Sequence, residues 1–274
     1  MAVKLTKSFI TKYLLPYLSR THLGRPTKVP LWRMVNAMIY RLKTGCQWRE
    51  LPLRQFCSGI LTTWQSVYYH FNKWSKDGSW KQMWTKLLSL NKGCLDMSST
   101  QLDGSHTPAK RGGEAVEYQG RKKCKTTNAL FLTDKQGLII AMSTPVSGNH
   151  HDVYDIKNTF EKMLLDVQAA GIETNGLFLN ADAGFDCQEL RDLCFQHGII
   201  DNIDINKRNA QNAERDVLLD DLLYKDRFSV ERTNAWIDAF KTLLVRFETK
   251  NRNWESWHYI AFAIILIRFK TKHF

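Results

Sequence analysis

Apolar residues recur at helical spacing through the first third of the chain. The pattern predicts four amphipathic helices, over residues 5–20, 31–43, 62–76 and 79–90. Gly45 ends the second of these helices and Gly78 separates the third from the fourth, since glycine stops a helix readily. The sequence therefore predicts a compact all-α module over residues 1–92.

Beyond residue 98 the apolar period changes to the alternation and short apolar runs typical of strands. The predicted strands are residues 99–105, 126–133, 138–146, 177–180 and 199–205. The predicted helices are residues 152–170, 186–197, 228–246 and 254–269, and the polar stretch 206–226 is predicted as a loop or short helix. This order favours a ribonuclease-H-like α/β domain over residues 96–274, built on a mixed five-stranded sheet.

The net charge of +12 is concentrated in the predicted helical module. Residues 1–95 hold 16 Lys and Arg against only Glu50 and Asp77, a net charge of +14, whereas the remaining residues hold 23 basic and 25 acidic side chains. A basic helical module is typical of helix-turn-helix readers of DNA, and residues 62–76 are the first choice for the recognition helix. The alternative is a generic helical bundle with a solvated basic surface.

Composition argues against several other classes of protein. Hydrophobic residues make up 43% of the chain, so a packed core is expected. None of the six cysteines forms a CxxC pair, which favours reduced thiols in a cytoplasmic protein. The longest strongly apolar run, residues 259–267, is far shorter than the roughly 20 residues of a membrane span and predicts a buried helix.

Three acidic residues occupy positions that the predicted topology would bring together. Asp103 lies on the first strand, Asp182 follows the fourth strand, and Glu231 lies in the first turns of the helix predicted over 228–246. Converging carboxylates repel one another unless divalent cations bind them, and Mg²⁺ prefers such hard oxygen ligands. Two bound ions can stabilise the attacking and leaving oxygens of a displacement at phosphorus.

Six motifs carry a family resemblance over nearly the whole length: TGCQWRELP (44–52), TWQSVYYHFNKW (63–74), LDGSH (102–106), SGNHHDVYD (147–155), NADAGFD (180–186) and RFSVERTNAWIDAFKTLLVRFE (227–248). By these motifs the chain resembles the DDE transposases of bacterial insertion sequences, of the insertion-sequence-five type. Tyr224, Arg227 and Glu231 match the Tyr-x2-Arg-x3-Glu part of the shared signature. The basic residue expected seven positions after the Glu is replaced by Asp238, and Lys241 is the nearest candidate.

The resemblance implies a catalytic ribonuclease-H-like domain in which Asp103, Asp182 and Glu231 hold two Mg²⁺ or Mn²⁺ ions. It implies cleavage and strand transfer at the terminal inverted repeats of a mobile element, with double-stranded DNA as the partner. Because two ends must be brought together, a homodimer on DNA is expected. Such an enzyme would work in the bacterial cytoplasm at the nucleoid.

Further residues are candidates for contacts with DNA. Arg227 lies one helical turn before Glu231 and could clamp a phosphate or pair with a neighbouring acid, and Tyr224 could contact the transferred strand or simply pack. The other candidates are His106, Lys110, Lys122, Lys123, Lys241, Arg25, Lys28, Arg49 and Lys73. Asp152, at the start of the helix predicted over 152–170, is interpreted as a helix cap.

Two other functions and three other acids stay open at this point. A nuclease or resolvase on the same fold would also need carboxylates and metal but not the large basic module. A DNA-binding regulator or domesticated derivative would keep the basic module and tolerate loss of an acid. Asp186, Asp226 or Asp238 could replace one of the chosen acids, and Asp186 is the serious rival to Asp182 because it follows the same strand.

Overall fold

The first third of the chain is helical, as predicted. The structure is a computed structural model that describes residues 5–20, 27–207 and 219–273. Its N-terminal helices are α1 (Lys7–Tyr13), α2 (Leu31–Thr44), α3 (Leu53–Cys57), α4 (Trp64–Lys76) and α5 (Ser79–Leu90). Short 3₁₀ helices lie at Leu15–Tyr17, Trp48–Glu50 and Lys92–Cys94.

Local chemistry explains where these helices end. The helix predicted over residues 5–20 stops at Tyr13, because Pro16 occupies the following turn and has no N–H to continue the ladder. Gly45 adopts a left-handed conformation (φ 71°) and caps α2. Gly78 does the same (φ 75°) between α4 and α5, which lets the chain reverse without the steric cost that a side chain would impose.

The described part of the chain forms a sheet of seven strands rather than the five predicted. They are β1 (Thr100–Pro108), β2 (Glu117–Gln119), β3 (Cys124–Asp134), β4 (Ile139–Met142), β5 (Val146–Ser147), β6 (Phe178–Ala181) and β7 (Ile200–Ile203). The additional strands are β2 and β5, which are three and two residues long and therefore too short to show an alternating pattern.

Strand order identifies the architecture. β3 lies antiparallel between β1 and β4, while β6 pairs with β1 and β7 with β6, both in parallel. Three antiparallel strands continued by two parallel ones is the arrangement of the ribonuclease-H-like fold, so the predicted fold class is confirmed.

The remaining helices connect and cover this sheet. They are α6 (Ile156–Ala169), α7 (Gln188–Gln196), α8 (Asp221–Tyr224), α9 (Ser229–Asp238), α10 (Lys241–Leu244) and α11 (Asn251–His273). The single helix predicted over residues 228–246 is wrong, because Phe240 is extended (φ −100°, ψ 100°) and separates α9 from α10. Phe240 is itself buried, so tertiary packing overrides helical continuity there.

Two helices lie on opposite faces of the sheet. Phe131 on β3 packs against His258 and Phe262 of α11, with ring centroids 5.7 and 6.0 Å apart. Its neighbour Leu130 points the other way and lines a small cavity with Thr159 of α6. Since Asp103 pairs with Phe131 across the strands, it faces the α11 side.

The helical module and the α/β part share one apolar core. Trp257 of α11 stacks on Phe71 of α4, with ring centroids 4.1 Å apart, and Phe262 packs edge-on against Trp84 of α5. The run Tyr259–Ile267 is buried throughout, as predicted. The sequence-based division at residues 91–93 stays a prediction, since this packing continues across it.

The helices in the described ranges include none that is both long and apolar enough to cross a bilayer.

Candidate active site and DNA-binding surface

Asp103 and Asp182 lie side by side on neighbouring parallel strands. Leu102 of β1 is in register with Ala181 of β6; the next residue is Asp103 on β1 and Asp182, in extended conformation just past the end of β6, on the neighbouring segment. Adjacent positions in parallel register present their side chains to the same face of a sheet. The Asp182 carboxylate also accepts a hydrogen bond from the Gly184 amide at 2.8 Å, which fixes its direction at the strand end.

The surroundings of Asp103 disfavour its negative charge. Burial raises the pKa of its carboxyl group to about 6, and the nearby charges of Asp182 and Asp152 act in the same direction. A hydrogen bond from the Gly104 amide and the positive charge of Arg227 oppose the rise in this pKa. A cation bound between the two aspartates would remove this cost.

Arg227 and Tyr224 complete the group around the two aspartates. Arg227 lies on the 3₁₀ helix Lys225–Phe228, with its guanidinium 5.5 Å from the ring centroid of Tyr224. Its Nε atom is buried and finds no hydrogen-bond partner among the described residues. Burial raises the pKa of the Tyr224 hydroxyl, Arg227 lowers it, and the carboxylates of Asp204 and Asp182 raise it further. A donor with an unused N–H therefore lies beside the carboxylate pair.

Glu231 lies apart from the two aspartates. Val230, Thr233 and Ile237 form the buried side of α9, and the Thr233 hydroxyl donates to the Gly137 carbonyl at 2.6 Å. This packing leaves Glu231 on the exposed side of the helix. Among the residues that the structure describes, no three His, Cys, Asp or Glu side chains lie close enough together to hold a metal ion. Of the three predicted acids, the structure thus places Asp103 and Asp182 together but not Glu231.

The rival acids have other structural partners. Asp186 is buried and forms an ion pair with Arg191 at 2.9 Å. Asp226 accepts a hydrogen bond from Ser99 at 3.1 Å and lies 3.3 Å from the Lys135 ammonium. Asp238 is exposed at the last position of α9. These contacts favour Asp182 over Asp186 as the neighbour of Asp103.

The donor set around Asp103 fits a hard divalent cation in part. Two adjacent carboxylates supply the oxygen ligands that Mg²⁺ and Mn²⁺ take, and Mg²⁺ sites in enzymes of phosphate chemistry commonly use one or two carboxylates plus substrate oxygens. The raised pKa of Asp103 is due first to burial, and the nearby positive charge of Arg227 only partly offsets it. A second ion would require a further ligand, for which Glu231 is the predicted residue.

The structure shows a cluster of polar side chains beside Gly104 of β1 that was not predicted from the sequence. A side-chain carbon at Gly104 would lie about 2.5 Å from Asp152 Cγ, so only glycine allows the Asp152 carboxylate to approach the strand there. Asn128 donates to this carboxylate at 2.8 Å, and His106 Nε2 lies 3.8 Å from it. The cap interpretation of Asp152 is wrong, because α6 begins only at Ile156. The sign of this cluster in the sequence is Gly104, the glycine that directly follows Asp103 in the LDGSH motif.

The predicted DNA-contacting residues fall into different environments. The His106 side chain is only 7% exposed and its pKa is lowered by burial, so it belongs to the cluster under β1 and not to the surface. Lys241, at the start of α10, is exposed and packs beside Gly45. Lys122 donates to the His106 carbonyl at 2.7 Å. The exposed candidates are Lys28, Arg49, Lys110, Lys122, Lys123 and Lys241. Lys73 is half-buried, and Arg25 lies outside the described residues.

Two family models match the chain in succession. One, described as "Putative transposase of IS4/5 family", matches residues 8–84, and the other, described as "DDE superfamily endonuclease", matches residues 102–267. The second match spans more than half of the chain, so this protein belongs to the DDE superfamily of endonucleases. Together the two matches make it a DDE transposase of IS4/5 type, an enzyme that acts on DNA and depends on a divalent metal. No curated protein matches the sequence.

Solved structures that match include two complexes of the Mos1 transposase. The paired-end complex with the left transposon end is 10% identical, with 89% of this chain and 79% of that chain covered and a TM-score of 0.31. The strand transfer complex is 11% identical, with 92% and 79% covered and a TM-score of 0.30. Scores this low do not establish a shared architecture, and the fold assignment stands on strand order and register.

Proposed function

We propose that this transposase binds the terminal inverted repeats of a mobile DNA element and catalyses cleavage and strand transfer with Asp103, Asp182 and Glu231. The observation that carries the proposal is the juxtaposition of Asp103, inside β1, and Asp182, directly after the end of the neighbouring parallel strand β6, with Arg227 beside them. Two Mg²⁺ or Mn²⁺ ions are proposed as cofactors. When bound, such ions lower the pKa of the attacking water or 3′-hydroxyl and stabilise the leaving oxyanion.

The residues of the chain supply positioning and charge. Asp103 and Asp182 hold the cations against one side of the scissile phosphate. The Arg227 guanidinium, which lies beside Asp103, contacts a non-bridging oxygen of that phosphate and stabilises the negative charge that develops during displacement. Tyr224 lies against the Arg227 guanidinium and orients it, so it is proposed as a positioning residue.

Glu231 joins the site when metal and DNA bind. The helix that carries it is ten residues long and is bounded by the 3₁₀ helix Lys225–Phe228 and the extended Phe240. Both boundaries are points at which a short helix can adjust its position. Glu231 would supply a further carboxylate ligand to bound cations, since it lies on the exposed side of α9.

Two copies of the chain are proposed to act together, one at each end of the element, on DNA of the bacterial nucleoid. Basic residues on the surface of each copy would neutralise the phosphates of the end and of the target. The six exposed candidates are Lys28, Arg49, Lys110, Lys122, Lys123 and Lys241.

The test measures binding and catalysis separately on DNA duplexes that carry the ends of the element that encodes this chain. Asp103→Asn, Asp182→Asn and Glu231→Gln are each expected to abolish end cleavage and strand transfer while leaving the gel shift intact. Asp192→Asn is the matched control, since Asp192 lies on α7 and contacts only its helix neighbour Gln188 among the polar contacts of the described residues. Strand transfer that persists in any one of the three variants removes that residue from the metal site.

A further inference from the structure

One side of α4 is buried and the other carries a continuous polar stripe. Val67, Phe71, Trp74 and Ser75 form the buried side. Gln65, Tyr69, Asn72 and Lys76 are spaced four, three and four residues apart, which aligns them along one side of a helix. Gln65, Tyr69 and Lys76 are exposed, and Tyr69 retains 58% of its accessible surface, which is unusual for an aromatic residue in a helix of a packed core.

The chemistry of the stripe changes along the helix. Its first half carries the Gln65 carboxamide and the Tyr69 hydroxyl, which are uncharged hydrogen-bonding groups. Its second half carries the Asn72 carboxamide and the Lys76 ammonium group, and the half-buried Lys73 lies beside it on the same turn of the helix. Bases are read by groups that donate and accept hydrogen bonds, whereas phosphates are bound by cations. The stripe thus carries uncharged hydrogen-bonding groups suited to bases, with cations suited to the DNA backbone at its C-terminal end.

A short helix and a six-residue connection precede α4. α3 precedes it, and left-handed conformations at Ser58 (φ 47°) and Gly59 (φ 78°) turn the chain between the two helices. The Thr63 side chain makes no capping hydrogen bond to the first turn of α4. The major groove of DNA admits an α-helix, whose outward side chains can then contact base edges.

The back of α4 is held firmly against the rest of the molecule. Phe71 stacks on Trp257 of α11, and the indole N–H of Trp74 donates to the Ser19 carbonyl at 2.9 Å. A helix anchored in this way presents its outer stripe in a defined orientation. The charge of +14 over residues 1–95 makes a polyanion the complementary partner for that stripe.

We propose that α4 is the base-reading helix, that Gln65 and Tyr69 select bases in the major groove of the element's ends, and that Lys73 and Lys76 contact flanking phosphates. This inference rests on the proposed function, because it requires sequence-specific binding to DNA ends. Glutamine pairs best with adenine, through N6 and N7, so an A·T pair is expected where Gln65 reads. Loss of one such contact lowers discrimination at that pair by roughly 5- to 150-fold.

The experiment selects bound sequences from a randomised 30-base-pair duplex library with the full-length protein. Gln65→Ala is expected to relax the preference at one A·T position and to leave the salt dependence of binding unchanged. Tyr69→Phe, which keeps the ring and loses only the hydroxyl, is expected to relax a neighbouring position. Lys76→Ala is expected to weaken all sequences equally and to reduce the slope of log K against log salt by about 0.9.

Matched controls lie on the next helix, where Gln82 and Lys86 are exposed on α5. Gln82→Ala and Lys86→Ala should leave base preference and salt slope as in the wild type. A wild-type preference retained by both Gln65→Ala and Tyr69→Phe would overturn the assignment of α4. If the wild-type chain itself enriched no sequence, the proposed binding of specific DNA ends would fail first, so the two failures are distinguishable.

Discussion

Asp103 and Asp182 occupy equivalent positions on adjacent parallel strands, one residue beyond the Leu102–Ala181 pair. Their proximity, together with burial, raises the pKa of Asp103 to about 6. The chain therefore holds a carboxylate where its charged form is unfavourable. A cation bound beside the two carboxylates would offset this cost.

Removal of this charge should stabilise the metal-free protein. The pKa of Asp103 is higher in the folded state than the ordinary 3.8, so the folded chain binds this proton more tightly. Binding of this proton stabilises the folded state. That contribution is fully present below about pH 4 and is lost as the pH rises through about 6. In EDTA at pH 7.5, Asp103→Asn should raise the free energy of unfolding by about 1–3 kcal/mol. Urea denaturation measures this gain, and an equal gain at pH 4 would contradict its electrostatic origin.

Divalent metal should stabilise the wild-type chain through the same two carboxylates. An ion that binds only the folded state at ten times its dissociation constant adds about 1.4 kcal/mol. Thermal unfolding in MgCl₂ or MnCl₂, compared with NaCl at equal ionic strength, should show this gain in the wild type. Asp103→Asn and Asp182→Asn should lose it, while the control Asp192→Asn should keep it. A shift of equal size in all four proteins would mean that the cation binds elsewhere.

Arg227 should not be replaceable by lysine. Its planar guanidinium stacks near Tyr224 and keeps a buried Nε–H unused, and a lysine ammonium has neither the plane nor that donor. Arg227→Lys is expected to lower the rate of end cleavage by about 100-fold, with little loss of DNA binding. Single-turnover cleavage on saturating DNA measures the rate. A lysine variant that cleaved at the wild-type rate would show that Arg227 contributes only positive charge.

The positions of Asp103 and Asp182 could be predicted from the sequence because the strand pattern around each acid is local. Asp103 lies within the first predicted strand and Asp182 directly follows the fourth, so their convergence follows from the strand order. The orientation of Glu231 is not local. It depends on which side of α9 packs, and Val230, Thr233 and Ile237 share no clear apolar stripe with their neighbours in the sequence.

Contacts between segments that lie far apart in the sequence could not be predicted either. Asp152 lies 48 residues after Gly104 in the sequence, and nothing in either segment alone indicates that one covers the other. β2 and β5 could not be predicted because two or three residues carry no period. The break at Phe240 follows from the burial of its ring, which helical spacing does not encode.

The close approach of Asp152 to Gly104 leads to a double-mutant prediction. Gly104→Ala would drive a methyl group into the Asp152 carboxylate and should destabilise the fold by about 1–3 kcal/mol. Asp152→Ala in the same chain removes the clash, so the double variant should recover part of that stability. Urea denaturation of the two single variants and the double variant gives the coupling energy. Strict additivity would show that the two residues do not meet. Gly112→Ala is the control, since a side-chain carbon there would meet nothing within 4 Å.

The stacking of Trp257 on Phe71 predicts that the helical module and the catalytic part unfold together. The rings are 4.1 Å apart and 20° from parallel, and Arg41 lies 4.9 Å from the Trp257 ring while pairing with Glu248 at 3.1 Å. Trp257→Ala removes a fully buried side chain from this contact and should cost about 3–5 kcal/mol. Tyr118→Ala, at an exposed aromatic residue on β2, should change stability by less than about 0.5 kcal/mol. Far-ultraviolet circular dichroism and calorimetry should report one transition in the wild type. Two separate transitions in the wild type would show that the helical module and the catalytic part unfold independently. The contact between Trp257 and Phe71 would then not couple them.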